Sequence, residues 1–299
     1  MAKKKTSQKN LTTAQSIWIA VAILAAFVAI VPLCVLFTRP GPLGALQKAG
    51  SNTIFAENFT AVYELDVNGK KMDGHINAAI DPTEKKLDVF LQFSSDIYDY
   101  EGGIHNGTFV IVNAKNDFIQ TVDIQNRVDS FFTLLESGKP DWSVLLDFSE
   151  TNLKEAISAD FDFEIFMSCL GEWLNKLNNT RWAEKNAGFT KTKTDGVVTY
   201  SYNPDPYTFV QKTVPMFKKA FREKTRYDDL NAYIDNARFL FSEGKASFSF
   251  DIKETQLIGS QFQLKFLNLD VSGNVSFIGI GSTIVDIDQV AFYIEEAGK

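Results

Sequence analysis

Cysteine is scarce in this chain: only Cys34 and Cys169 occur among its 299 residues. Cys34 lies inside a long apolar run near the N-terminus, so Cys169 is alone in the remainder and an internal disulfide is excluded there. A domain outside the cell that lacks disulfides must be stabilised by its core. The hydrophobic content of 45%, with 26 phenylalanines, is sufficient for such a core. This composition favours the outer face of a bacterial membrane over a eukaryotic secretory product.

The residues and motifs of common active sites are also scarce. The two histidines, His75 and His105, stand in no metal-ligand spacing, which disfavours a metal site. The sequence has no nucleophile-elbow, phosphate-loop or dinucleotide-binding motif. The acidic run of Asp160, Asp162 and Glu164 lacks the glycine and the spacing of a calcium loop and fits the start of a helix better. We therefore expect a non-enzymatic protein that needs no cofactor.

Acidic residues do not occur in the first 56 positions, whereas residues 1–39 contain five lysines or arginines. Within this stretch residues 17–37 carry no charge, and a helix of that length spans roughly 30 Å, the thickness of the bilayer hydrocarbon. We expect a transmembrane helix there. Because four lysines precede it, the sequence predicts a cytoplasmic tail at 1–16, a linker at 38–50 and an extracytoplasmic domain at 51–299.

A cleaved signal peptide is the main alternative for the N-terminal segment. Its apolar core would be shorter, and the residues around Cys34 lack the small pair of a cleavage site. Cleavage near Ala45 or Ala49 stays open. The pattern favours a single-pass protein of the cell membrane, with its N-terminus in the cytoplasm and its large domain outside.

Acidic residues outnumber basic ones beyond the apolar segment. All 37 acidic residues follow position 56, whereas five of the 30 lysines and arginines lie in residues 1–39. We do not expect this acidic domain to bind nucleic acid or to lie flat on anionic lipid, and its acidity is explained by solubility. One basic cluster is the exception: Lys212, Lys218, Lys219, Arg222, Lys224 and Arg226. It is either a solvated helix face or, through Lys218, Lys219 and Arg222, a site for lipid headgroups or an acidic partner.

Apolar and polar residues alternate in the first and last parts of the domain. Over residues 59–124 the alternation predicts a meander of antiparallel strands, with a hairpin turn at Asn68-Gly69 and a break at Gly102-Gly103. It resumes over residues 246–280 and predicts a last strand at 284–294. Period-two alternation of this kind indicates an antiparallel sheet with one wet face.

The middle of the domain has helical periodicity instead. Apolar faces recur over 128–135, 165–177, 209–221 and 230–241, and a hairpin with its turn at Asp195-Gly196 is predicted between the second and third of these. Cys169 falls on an apolar helical face, where a buried and inert thiol is expected. The order of strands, helices and strands predicts an α+β domain after the N-terminal transmembrane helix. Its antiparallel sheet is packed on a helical insertion at about 126–243, with the helices on one face.

One part of the strand pattern resembles a known family. A short helix leads into Asn58-Phe59-Thr60-Ala61, then come a strand with Gly74, a turn with Pro82 and a later strand from Asn106 to Asn113. Over about residues 43–125 and the final strands the chain resembles LolA-type periplasmic lipoprotein carriers and the related mycobacterial lipid-binding lipoproteins. The resemblance implies a strongly curved half-barrel with helices in its concave side and an apolar cavity for acyl chains. The helical insertion and the membrane-spanning anchor depart from that family.

The abundant phenylalanines indicate where an apolar ligand would bind. Core packing is their ordinary use, and the functional alternative is a cavity lined by Phe209, Phe217, Phe221, Phe248, Phe250 and Phe262. Together with the resemblance, this predicts a membrane-anchored domain that binds a lipid or another apolar ligand. The alternative is a structural, interaction or sensor ectodomain of the cell envelope that contacts a protein partner and no small ligand.

Overall fold

The computed structural model describes residues 41–54, 56–95, 99–113, 118–137, 147–148, 151–152, 160–236, 238, 243–266 and 269–298. The basic tail at 1–16 and the transmembrane helix expected at 17–37 lie outside these residues. No helix in the described ranges combines the length and the apolar character needed to cross a membrane.

The described residues form an α+β fold. The strands are β1 (Asn58–Val67), β2 (Lys70–Asp81), β3 (Lys86–Ser95), β4 (Asp99–His105), β5 (Thr108–Asn113), β6 (Phe118–Asp123), β7 (Asp147–Phe148), β8 (Thr151–Asn152), β9 (Phe189–Thr194), β10 (Val197–Tyr202), β11 (Lys245–Lys253), β12 (Gln256–Phe266) and β13 (Leu269–Ile278). The helices are α1 (Pro42–Ile54), α2 (Gln125–Ser137), α3 (Phe163–Leu177), α4 (Thr180–Ala187), α5 (Pro206–Thr213), the 3₁₀ helix η1 (Val214–Ala220), α6 (Lys224–Asn236) and α7 (Ile287–Ala297).

One antiparallel sheet of 11 strands organises the domain, in the order β6-β5-β4-β3-β2-β1-β13-β12-β11-β10-β9. The first strand is central because it pairs with both β2 and the last strand, β13. The hairpin turns predicted at Asn68-Gly69 and Asp195-Gly196 are confirmed, and both residues of each turn have positive φ, as hairpin turns of this type require. The short pair β7-β8 forms a separate sheet.

The sheet has one apolar face and one polar face, as the alternation predicts. Helices α1 and α2 cover the apolar face, where Ile54, Ile80, Val128 and Phe132 form one buried cluster. A second cluster lies under α4 and unites Leu46 of α1 with strands β9 and β10. Helix α1 therefore joins the two halves of the core. It overlaps the linker predicted at 38–50 and continues through Gly50.

Two strand predictions are wrong. Gly102-Gly103 does not break a strand but lies within β4. Glycine occupies these positions because a side chain at Gly102 would overlap the Val110 carbonyl, and one at Gly103 the Val89 carbonyl. Residues 284–294 are not a strand: α7 begins after Asp286, whose side chain accepts a hydrogen bond from the Gln289 amide at 3.1 Å. The spacing of a short apolar segment fits the period of a strand as well as that of a helix, and the Asp286 cap favours the helix.

Helix α7 also corrects the expectation that the helices lie on one face. A methyl group at Gly103 would meet Val290 of α7, which is 1% exposed. The neighbouring Ile104 packs instead with the cluster under α1 and α2. Successive strand residues point to opposite faces, so α7 covers part of the polar face.

The predicted insertion at about 126–243 is only partly helical. Its hairpin β9-β10 extends the main sheet beside β11. Helix α5 begins with Pro206 after the Asp205 cap, and it passes into η1 at Val214-Pro215 because proline has no amide hydrogen for the helical ladder. Helices α3, η1 and α6 pack beside α4 and α5, and we refer to these three as the outer helical layer.

Candidate functional site

An open cleft of about 1500 Å³ extends across the sheet and is bordered by eight of its strands, β1–β4 and β10–β13. One row of polar residues crosses the cleft, each directly opposite the next on the neighbouring strand. In spatial order this polar row consists of Ser201, Ser249, Gln261, Asn274, Glu64, Asp73, Ser94 and Asp99. The antiparallel register therefore assembles a continuous polar surface from residues that are up to about 200 positions apart in the chain.

The side chains of the polar face supply the surface of this cleft. The alternate residues of the same strands, such as Tyr63, Leu65 and Phe262, are only 4–8% exposed. Their backbone borders the cleft, but their side chains pack on the apolar face. The Tyr63 hydroxyl donates a hydrogen bond to the Gln92 carbonyl at 3.0 Å, and burial raises the pKa of Tyr63 above its ordinary value. This hydroxyl therefore stays protonated and serves as a structural donor.

Hydrogen bonds hold the acidic groups of the cleft in place. The side-chain amide of Asn274 donates from Nδ2 to Glu64 Oε2 at 3.0 Å. The side-chain amide of Gln92 donates from Nε2 to Glu101 Oε1, also at 3.0 Å. Tyr293 of α7 donates to Glu101 Oε2 at 2.7 Å. Burial, and then this bond to Glu101, raise the pKa of the Tyr293 hydroxyl. The fixed carboxylates make the cleft a surface that accepts hydrogen bonds from a ligand.

The cleft is more acidic than basic. Carboxylates of Glu64, Asp66, Asp73, Asp99 and Glu101 border it, together with the basic or titratable side chains of Lys71 and His75. Such a lining attracts ligand groups that donate hydrogen bonds or carry positive charge, and it repels anionic groups.

The six phenylalanines of the predicted apolar site lie in several clusters. Phe248 and Phe262 border the cleft and pack near Leu65, whereas Phe209 and Phe250 pack in the cluster under α4. Phe217 belongs to the outer helical layer, and Phe221 directly follows η1. Their ring centroids lie 5.3 Å from Phe166 and 4.5 Å from Phe161, respectively. The structure thus places two of the six at the cleft and four elsewhere.

The predicted basic site lies on the outer helical layer. Lys218 Nζ is 5.0 Å from the Tyr227 ring centroid, and Lys219 Nζ is 3.8 Å from Glu172 Oε1. Arg222 Nε donates to the Phe161 carbonyl at 3.0 Å. These cations surround an aromatic group of Phe161, Phe166, Phe217, Phe221 and Tyr227, whose rings contact one another in series.

One polar group was not predicted from the sequence. Asp88, 7% exposed in its side chain, lies 2.8 Å from His105 Nδ1 and 3.1 Å from Lys86 Nζ, and His105 Nε2 is 2.9 Å from the Asn106 amide. Val89 of β3 pairs with Ile104 of β4, so the preceding Asp88 and the following His105 come together in this hairpin. The pairing of these two strands is the signal by which the group could have been predicted. Across the described ranges, no group of three or more histidine, cysteine, aspartate or glutamate side chains is arranged to hold a metal ion.

Cys169 is 2% exposed, which confirms the buried thiol predicted from the helical pattern. Burial raises the pKa of this thiol, and the nearby Glu172 adds to the effect. The protonated thiol is a poor nucleophile, so Cys169 acts as a small apolar side chain within α3.

Comparisons with known proteins do not place the chain in a family. No protein-family model matches it, and no curated protein matches it. A search of solved structures found similarity to a beta-barrel-like protein, a domain of unknown function from Brucella abortus. That similarity has 10% sequence identity and covers 73% of this chain and 95% of that chain, with a TM-score of 0.18. At this TM-score it carries no argument about fold or function.

Proposed function

We propose that this protein is a single-pass, membrane-anchored binding domain that acts outside the cytoplasm and catalyses no reaction. Residues 17–37 are its anchor, and their uncharged length and preceding lysines support this. The ligand binds in the cleft of the sheet. The observation that carries the proposal is the polar row, which crosses eight hydrogen-bonded strands and is therefore a large and preformed surface.

The ligand in this proposal is amphipathic. A bare acyl chain would remove Glu64 and Asp73 from water without replacing their hydrogen bonds, at a cost of several kcal/mol. A ligand with hydroxyl or amine groups replaces those bonds. The apolar part of the same ligand has contacts available at Val62, which borders the cleft and is 38% exposed. This proposal narrows the lipid or other apolar ligand expected from the sequence to one with a substantial polar part.

A carrier-like half-barrel is part of the same proposal. It is supported by the 11-stranded antiparallel order with β1 beside β13 and by the packing of α1 and α2 against the apolar face. The departure from LolA-type carriers is that the apolar side chains near the cleft are mostly buried, so the ligand is bound by the polar face.

Native mass spectrometry of the full chain, purified in a mild detergent, tests the ligand proposal. We expect wild-type protein to retain a small molecule whose fragments include both polar and alkyl parts. Ser249→Trp places a large ring in the polar row, directly opposite Gln261, and should abolish retention. Thr192→Trp, on the exposed edge strand β9 outside the cleft, is the matched control and should retain the ligand. An empty wild-type protein, or equal retention by both variants, would contradict the proposal.

A protein-interaction domain without a small ligand is the second candidate. It is favoured by the outer helical layer, where Ile165 of α3 is 40% exposed and only Cys169 of that helix is buried. Photo-crosslinking in intact cells from position 165 tests it. Recovery of one envelope protein, together with an empty cleft in the mass spectrum, would favour this candidate over the ligand-binding one.

A further inference from the structure

The two edges of the main sheet differ in sequence. The sheet ends at β6 on one side and at β9 on the other, and within the described residues neither strand has a partner beyond it. Strand β9, FTKTKT, carries Lys191 and Lys193, and each of its residues after Phe189 is exposed. Strand β6, FIQTVD, has no lysine, arginine or proline, and its Phe118 is 43% exposed. Lysine on an edge strand disfavours pairing with another chain, so β9 is protected and β6 is not.

The backbone pattern shows which groups of β6 are available for pairing. The Ile124 amide donates to the Gly107 carbonyl at 2.8 Å and continues the β5–β6 ladder by one pair. Hydrogen-bonded pairs alternate along an antiparallel ladder, so the even-numbered residues of β6 bond to β5. The amides and carbonyls of Ile119, Thr121 and Asp123 therefore point outward, away from β5. They form a short row to which another extended strand can bond.

A second copy of β6 fits this row in antiparallel orientation. With a twofold axis at Gln120, Ile119 of one copy lies opposite Thr121 of the other, and their outward backbone groups exchange hydrogen bonds. In the same register Phe118 lies opposite Val122, with both side chains on the apolar face of the sheet. An aromatic side chain opposite a β-branched one is a stabilising pair, and none of these residues carries a charge that would oppose the contact.

The same reasoning disfavours the other pairings of these edges. Two copies of β9 would bring lysine opposite lysine in every register centred on Lys191, Thr192 or Lys193, and like charges directly opposite are destabilising. Joining β6 of one copy to β9 of the next would place those lysines against the added strand, and it would leave a free edge at each end from which a filament grows. Pairing β6 with β6 closes the assembly at two copies, because only the protected β9 edges stay outside.

We propose that this protein forms a twofold-symmetric dimer in which β6 of one copy pairs antiparallel with β6 of the other. The two sheets then become one continuous sheet. Because the twofold axis is perpendicular to the sheet, the polar faces of both copies lie on the same side. The cleft is bordered by β1–β4 and β10–β13, so pairing through β6 leaves both clefts open. The dimer presents two clefts in one direction, and it depends neither on the anchor at 17–37 nor on the identity of the ligand.

Disulfide trapping tests the register with the full chain in a mild detergent. Gln120→Cys is introduced in a background with Cys34→Ser and Cys169→Ala, and Thr192→Cys on the exposed edge strand β9 is the matched control. Position 120 lies opposite its own copy in a pair without hydrogen bonds, where Cα atoms are about 4.5 Å apart and a disulfide can form. We expect a yield of crosslinked dimer at least severalfold higher from Gln120→Cys than from Thr192→Cys. Equal yields, or monomer alone from Gln120→Cys, would overturn the proposal.

Native mass spectrometry of the full chain with its own cysteines measures the dimer directly. Thr121→Pro removes an outward amide hydrogen and leaves the hydrogen bonds to β5 in place, so we expect the variant to fold and its dimer dissociation constant to rise at least tenfold. Thr121→Lys keeps the amide and adds the protecting charge found on β9, and it should weaken the dimer in the same direction. Circular dichroism checks that both variants are folded.

The matched control for these variants lies on the opposite edge. The Asn203 amide donates to the Gly188 carbonyl at 3.2 Å and continues the β9–β10 ladder, so the Lys193 amide points outward from β9. Lys193→Pro should therefore dimerise as wild type does. A monomeric wild-type chain, or a dimer that neither change at position 121 weakens, would refute pairing through β6.

Discussion

The apolar face of the sheet and the outer helical layer are both rich in phenylalanine, but they are covered very differently. On the apolar face Phe132 is 1% exposed and Val128 is 4% exposed, whereas in the outer layer the rings of Phe166, Trp173 and Phe217 are only partly buried. The first region gains stability from burial, since each apolar side chain removed from water contributes about 1.5–3 kcal/mol. The second leaves part of its apolar surface accessible to water. Similar hydrophobicity in sequence therefore leads to full burial in one region and to partial exposure in the other.

The largest expected effect is the loss of a core ring. Phe132→Ala should lower the free energy of unfolding by about 3–5 kcal/mol, because it leaves a cavity beside Ile54 and Val128. Phe217→Ala in the outer layer should cost on the order of 1–2 kcal/mol, because that ring is already partly exposed. Denaturant unfolding of both variants measures the difference. Similar losses would show that the outer layer is as tightly packed as the core.

Glycine substitutions should change sign between the regions. Gly103→Ala forces a methyl group against the Val89 carbonyl and Val290, so we expect a loss of about 1–3 kcal/mol. Gly171→Ala lies in α3 with nothing within 4 Å of the added carbon, and it should gain about 0.5–1 kcal/mol from helix propensity. Thermal unfolding monitored by circular dichroism checks both signs. A stabilising Gly103→Ala would refute the close packing of α7 on the sheet.

A buried hydroxyl should matter more than a half-buried one. Thr53, 2% exposed, donates to the Leu257 carbonyl at 3.0 Å and accepts from the Leu257 amide at 2.9 Å, which fastens α1 to β12. Thr53→Val should cost about 1–3 kcal/mol, because those backbone groups lose their partner away from water. Thr213→Val removes the acceptor of the Trp173 indole and should cost less than about 1 kcal/mol. Urea titration distinguishes them, and equal costs would argue against the role given to Thr53.

The smallest effect concerns the cap of α5, a helix with no buried residue. Asp205 accepts a hydrogen bond from the Thr208 amide at 2.9 Å, and its hydrogen bonds with Thr208 lower the pKa of this carboxyl. Asp205→Ala should cost about 1 kcal/mol at neutral pH, whereas Asp205→Asn, which also caps, should change stability by only a few tenths.

The pH dependence of this cap has a defined sign. Because the folded pKa lies below the unfolded one, near 3.9, the carboxylate stabilises the fold at higher pH, and its contribution is lost as the pH falls through the folded pKa. Stability measured between pH 6 and pH 2 should therefore decline less in Asp205→Asn than in wild type. Parallel curves would show that the charge of Asp205 does not contribute.

Local patterns were predicted where the deciding interactions are local. Asn68-Gly69 specifies a hairpin turn by its own backbone preferences, and the apolar spacing of 165–177 specifies α3. Gly102-Gly103 was misread because the reason for glycine there is the approach of neighbouring strands and α7, which no local pattern contains. The last segment was misread for a related reason, since the spacing from Ile284 to Ile294 suits a strand or a helix until its packing partner is known.

The candidate site shows the same division. The sequence shows that Glu64, Asp73, Gln261 and Asn274 each lie on the polar side of a strand, but not that they are neighbours. Two hairpins set the pairs Glu64–Asp73 and Gln261–Asn274, but the two pairs become neighbours only through the pairing of β1 with β13. That pairing brings Glu64 opposite Asn274, 210 positions away in the chain. Likewise, the phenylalanines of the predicted cavity were identified as apolar without any sign that they would divide between the core, the cleft border and the outer layer.

By itself, the amino-acid sequence determined the alternation, the hairpin turns, the helical faces and the uncharged segment at 17–37, because each depends on neighbours within a few residues. Only the tertiary structure decided how much of each apolar face is covered, that α7 packs on the polar face, and that eight strands bring their polar residues into one row. Burial and register are properties of pairs of segments distant in the chain, and a single linear pattern does not contain them.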